Sequence, residues 1–84
     1  MSRISQIKKE MEDIELEIKA YELKRERSQT ALIRCLLSGK KANPEDEQYF
    51  NLFSDLIDKD RDALRRLGAE LEQLQKEKKN KKKK

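Results

Sequence analysis

The stretch from Leu36 to Glu47 divides the chain into two long helical segments. Gly39 follows the last apolar residues of the first segment and can adopt the left-handed conformation that ends a helix. Asn43 is a favourable N-cap, and Pro44 suits the first position of the next helix, where no amide hydrogen is needed. The sequence therefore predicts helices over about 2–38 and 44–78, joined by a hinge at 39–43 that is short enough for antiparallel neighbours.

The first segment carries a heptad repeat that starts at Ile4 and predicts one interface along the helix. Most positions of this seam are apolar, but Arg25 and Ser28 interrupt it together. The full seam is Ile4, Ile7, Met11, Ile14, Ile18, Tyr21, Arg25, Ser28, Leu32 and Cys35.

The second segment has a matching seam, which contains one polar residue, Asp60. It consists of Phe50, Phe53, Ile57, Asp60, Leu64, Leu67, Leu71 and Leu74. Gly68 lies in the middle of this helix, either because another helix approaches it closely or because a weak position is tolerated there.

The two seams predict a register when the chain is folded at the hinge. An alignment that places Cys35 opposite Phe50 also places Tyr21 opposite Leu64 and Arg25 opposite Asp60. A buried charge must be paired, and a polar layer can fix the register of two helices at some cost in stability. We therefore expect Arg25 and Asp60 to form a register-setting ion pair, and we expect Asp60→Ala to destabilise the hairpin. The alternative is that these two residues form a partner-binding site.

A second apolar line lies on the side of the first helix opposite the seam. Leu16, Leu23 and Leu37 share this line, whereas isolated surface leucines would need no explanation. With the apolar residues near the hinge, they form a candidate partner or dimer face: Leu16, Leu23, Leu37, Tyr49, Leu52 and Leu56. The alternative is that the line is simply solvated.

Composition narrows the class of protein further. Charged residues make up 45% of the 84 residues and apolar residues 35%, which is typical of coiled coils and long helices. Histidine is absent, there is one cysteine, and no glycine-rich phosphate loop is present, so we expect neither enzymatic activity nor a cofactor or metal site. A single cysteine and the absence of a signal segment or a long apolar run favour an intracellular protein of the cytoplasm or nucleus, without a transmembrane segment.

The basic residues are concentrated at the carboxyl end, although the net charge of the chain is only +4. Residues 76–84 should form a disordered tail beyond a hairpin of residues 1–75. Its lysines could bind nucleic-acid phosphates or another anionic surface, or could only increase solubility. These candidate phosphate-binding residues are Lys76, Lys78, Lys79, Lys81, Lys82, Lys83 and Lys84.

The sequence as a whole predicts an all-α fold, a two-helix antiparallel coiled-coil hairpin. Because such a hairpin has a thin core, we expect two copies to pack into a four-helix bundle. The expected function is protein–protein interaction or oligomerisation, either as a homodimer or with another helical protein. The alternative function is a small nucleic-acid-associated protein that acts through its lysine-rich tail.

Overall fold

The computed structural model describes residues 2–82, and it describes the side chains as far as residue 78. Helix α1 spans Arg3–Ser38 and helix α2 spans Pro44–Lys82. The helices lie antiparallel in a hairpin with extents of 68 × 19 × 14 Å. The prediction of an all-helical chain with two helices is confirmed. Helix α2 continues past the predicted end at residue 78 and includes most of the segment predicted as a disordered tail, because glutamine, glutamate and lysine favour helix and no glycine or proline ends it.

The ends of the helices at the hinge have the predicted caps. Gly39 has φ 69° and ψ 15°, and its amide donates to the Leu36 carbonyl while the amide of Lys40 donates to the Cys35 carbonyl. These two bonds form a Schellman motif, which requires the left-handed backbone of a glycine. The side chain of Asn43 accepts a hydrogen bond from the amide of Glu45 at 3.0 Å.

The amino end of α1 has a cap that the sequence analysis did not identify. The Ser2 hydroxyl accepts a hydrogen bond from the amide of Ser5 at 3.2 Å, so it satisfies one of the free amides of the first turn.

The residues of both predicted seams lie between the two helices. Each of them is buried or half-buried, which confirms the heptad assignment. The core is nevertheless thin: among the described residues, the buried apolar side chains are Ile7, Ile18 and Ile57, and of these Ile7 and Ile57 are fully buried.

The predicted register of the two helices is wrong. Tyr21 packs against Phe53, with ring centroids 6.0 Å apart, and not against Leu64. The Met11 methyl group lies 3.9 Å from the position that a Cβ at Gly68 would occupy, whereas the predicted register places Met11 opposite Leu74. Helix α2 is therefore displaced by about one heptad relative to the predicted alignment.

The path of the hinge explains this displacement. Ala42 is half-buried, and Asp46 lines a groove together with Arg27 and Ser28, well before the end of α1. The hinge therefore runs back along α1, and the last turns of α1 project beyond the start of α2. A shift by one heptad keeps every a and d position in the interface, so the seam pattern alone cannot distinguish the two registers.

Candidate interaction surface

The line of leucines on the outer side of α1 is exposed to solvent. Leu16 is 65% exposed and Leu23 is 67% exposed, because both occupy heptad position f, opposite the seam. The two residues are seven positions apart and therefore lie on the same side of the helix about two turns apart. We refer to the surface around Leu16, Ala20 and Leu23 as the outer face of α1.

A shallow groove lies beside this outer face, between α1 and α2. Leu23 and Tyr49 line it together with Phe53, and Arg27 and Asp46 lie at the same groove. The rings of Tyr49 and Phe53 are stacked with centroids 6.3 Å apart, so they form a continuous aromatic wall. The predicted residues Leu23 and Tyr49 are thus brought together in one groove.

The other predicted face residues are less closely connected with this groove. Leu52 is 50% exposed on α2, and Leu56 is half-buried beside the seam. Leu37 is 84% exposed, but it lies on the projecting end of α1.

The projecting end of α1 carries two exposed apolar residues that sequence reasoning missed. Leu36 is 81% exposed and Ile33 is 47% exposed. Leu36 lies beside the seam at heptad position e, and the predicted register, in which α2 begins closer to the end of α1, would cover it in part. Ile33 lies at heptad position b, away from the seam in either register, so an apolar residue at that position was itself the signal that could have identified it.

Arg25 does not pair with Asp60. Its guanidinium Nη1 donates a hydrogen bond to the Ser54 hydroxyl at 3.4 Å, and its Cζ lies 5.7 Å from the centre of the Phe50 ring. The aromatic face and the hydroxyl therefore take the place of the expected carboxylate partner. The displaced register explains this correction, because it moves Phe50 and Ser54 to the level of Arg25.

Asp60 lies instead beside Glu17 and Tyr21. Its Oδ2 atom is buried and has no hydrogen-bond partner among the described residues. Burial raises the pKa of Asp60, and the neighbouring Glu17 raises it further. The Tyr21 hydroxyl donates to Glu17 Oε1 at 2.9 Å, and this hydrogen bond raises the pKa of Tyr21. The predicted ion-pair layer is therefore replaced by two separate groups of polar residues. One contains Arg25 and Ser54, and the other, which is acidic, contains Asp60 and Glu17.

Arg3 joins the two helices at the open end of the hairpin. Its Nε and Nη2 atoms donate to the two carboxylate oxygens of Glu70 at 2.6 and 3.1 Å, and its Nη1 lies 3.9 Å from Glu10. The bidentate contact lowers the pKa of Glu70. Both partners are exposed, so this pair fixes the geometry of the open end more than it stabilises the fold.

The lysine-rich segment follows the end of the seam. Lys76 and Lys78 are exposed, and Lys76 Nζ lies 3.5 Å from Glu72 Oε1, one helical turn earlier. The side chains of Lys79, Lys81 and Lys82 lie outside the described part of the chain, and so do residues 83 and 84. The prediction of a phosphate-binding tail stays a prediction.

Comparisons with protein-family profiles, with curated proteins and with solved structures gave no significant match. Within the described residues, neither helix has a stretch long and apolar enough to cross a membrane.

Proposed function

We propose that this protein is a non-enzymatic assembly module that forms a homodimer through the outer face of α1. The observation that carries the proposal is the exposure of Leu16 and Leu23, each about two-thirds exposed, on a hairpin with so thin a core. Burying a leucine side chain contributes about 1.5–3 kcal/mol, so covering both residues would add substantially to a core of this size. Domains that are too thin for a sufficient core of their own are commonly stabilised by oligomerisation.

The shape and lining of the neighbouring groove favour a helical partner over a small ligand. It is shallow and open, with an apolar wall formed by Tyr49 and Phe53 and charged residues, Arg27 and Asp46, at its edges. An apolar centre with a charged rim is typical of protein interfaces. A helix of a second copy that packs on the outer face of α1 would lie beside this groove, and the two hairpins would then form a four-helix assembly.

Two single substitutions on the same helix test this proposal. Leu23→Lys places a charge on the outer face, whereas Leu36→Lys is a matched control on the projecting end, where the leucine is still more exposed. Sedimentation velocity over a concentration series should show dimer for the unmodified chain and for Leu36→Lys, and a loss of dimer for Leu23→Lys. Equal sedimentation of both variants and the unmodified chain would contradict the proposal.

The second candidate function is binding of nucleic-acid phosphates by the lysine-rich end. It is favoured by the continuation of α2 to Lys82, which would hold successive lysines on one extended helix. Two arginines of the hairpin are less available for phosphates, because Arg25 contacts Ser54 and Phe50, and Arg65 pairs with Asp62.

A salt series distinguishes this second function. Binding of double-stranded DNA by residues 1–84 should weaken steeply as the salt concentration rises, because counterions are released from the phosphates. Residues 1–75 should bind much more weakly than the full chain. Equal binding by both would exclude the tail as the contact.

A further inference from the structure

We infer that the two copies pair antiparallel through the outer face of α1, about a two-fold axis level with residues 21 and 22. This inference rests on the proposed function and adds the direction and register of the partner. It is carried by four charged side chains that border the outer face: Glu17 and Lys24 on one side, and Lys19 and Glu26 on the other. All four are exposed, and none forms an ion pair among the described residues; Glu17 accepts a hydrogen bond from the Tyr21 hydroxyl through Oε1.

The apolar residues of the outer face interlock in this arrangement. Leu23 lies opposite Ala20 of the second copy, and the two-fold axis repeats the contact on the other side. The small side chain of alanine allows the two helices to approach closely at this point. Leu16 lies opposite Arg27 of the second copy, whose aliphatic stem can cover the leucine while its charged end stays in water.

The charges on both borders are complementary in the same arrangement. Glu17 lies near Lys24 of the second copy, and Lys19 lies near Glu26 of the second copy. The two-fold axis repeats each pair, so the contact contains four pairs of opposite charge. One pair of like charge, Lys9 with Arg34 of the second copy, lies at each end, where both side chains are exposed.

The neighbouring registers are disfavoured by the same residues. A shift by one heptad in one direction places Glu17 opposite Glu17 of the second copy and Lys19 opposite Lys19 of the second copy. A shift in the other direction places Lys24 opposite Lys24 and Glu26 opposite Glu26 of the second copy. Like charges on facing border positions are repulsive and select against a register.

A parallel pairing is disfavoured as well. In a parallel dimer in register, Lys19 borders Lys24 of the second copy and Glu12 borders Glu17 of the second copy. The charges of α1 therefore favour one antiparallel register over both the shifted and the parallel alternatives.

A distance measurement between the two copies tests the direction of pairing. A nitroxide label is attached to Lys9→Cys in a full chain that also carries Cys35→Ser, and dipolar electron paramagnetic resonance gives the distance between the two labels. Circular dichroism checks that this variant is as helical as the parent. The antiparallel register separates the labelled positions by 25 residues along the axis, which corresponds to roughly 38 Å. A parallel dimer would bring them to about 10 Å, the spacing of packed helices.

The outcomes separate this inference from the proposed function. A distance near 40 Å supports the inference. A short distance, or any other well-defined distance, in a sample that light scattering shows to be dimeric overturns the antiparallel register but leaves the homodimer. A monomer in the same light-scattering measurement overturns both.

A charge exchange tests the register without a label. Lys19→Glu should weaken the dimer by about ten-fold, because two attractive surface pairs become repulsive. Lys19→Glu combined with Glu26→Lys should restore it, since the pairs are then only reversed. Lys41→Glu, in the hinge, makes the same change in net charge and serves as the control. Failure of the double variant to recover affinity would overturn the proposed register.

Discussion

Replacement of Asp60 by leucine should stabilise the hairpin, because this residue interrupts the seam of α2 without a cationic partner. Its Oδ2 atom is buried and accepts no hydrogen bond among the described residues. An unsatisfied buried acceptor costs about 1–3 kcal/mol, and a half-buried leucine adds about 1 kcal/mol of apolar burial. We expect Asp60→Leu to raise the free energy of unfolding by about 2 kcal/mol, which corresponds to a melting temperature roughly 8–16 °C higher.

Urea denaturation followed by circular dichroism at 222 nm measures this difference. The concentration is kept low, and light scattering checks that parent and variant have the same mass, so that a change in assembly does not enter the result. Asp58→Leu is the matched control, since it makes the same substitution at an exposed position two residues earlier. It should change the free energy of unfolding by no more than about 0.5 kcal/mol.

A destabilised Asp60→Leu variant would instead support the register predicted from the sequence. If Arg25 and Asp60 formed a buried ion pair, Asp60→Leu would leave the guanidinium unpaired and would destabilise the hairpin by about 3–5 kcal/mol. Combining it with Arg25→Met would then recover most of the loss. A strong destabilisation with that recovery would refute the register described here.

Three further predictions follow from the glycines and the carboxyl groups. Gly68→Ala should stabilise the hairpin by about 1 kcal/mol in urea denaturation, because alanine favours helix and its Cβ would make only an ordinary contact with Met11. Gly39→Ala should destabilise it by about 1–2 kcal/mol in the same assay, because the backbone there has a positive φ. The raised pKa of Asp60 means that its destabilising effect is present above that pKa and is relieved as the pH falls towards the usual value of 3.8. The stability difference between Asp60→Asn and the parent should therefore be largest at neutral pH and should narrow in mild acid. The pKa of Glu70 is lowered instead, so its stabilising contribution is lost only as the pH falls below the usual value of 4.5.

The features that were predicted correctly from the sequence depend on local chemistry. Gly39, Asn43 and Pro44 act within a few residues of their own positions, so the end of α1 and the start of α2 could be identified directly. The seams could be identified because each apolar side chain reports its own side of a helix.

The register could not be predicted because it depends on the path of the hinge. In the sequence, the pairing of Arg25 with Asp60 favours one alignment, but the heptad repeat permits another that is one heptad away. In the observed register Tyr21 contacts Phe53 and Arg25 contacts Phe50, and the buried Oδ2 atom of Asp60 has no hydrogen-bond partner among the described residues. The exposure of Leu36 follows from the same displacement.

The solution mass of the unmodified full chain tests the proposed function most directly. Light scattering at physiological salt over a concentration series should show a mass that rises to twice the chain mass of 10.0 kDa. The double variant Leu16→Lys with Leu23→Lys should stay at the mass of one chain under the same conditions. A mass of 10.0 kDa for the unmodified chain at every concentration would contradict the homodimer and would leave the outer face of α1 without the partner proposed for it.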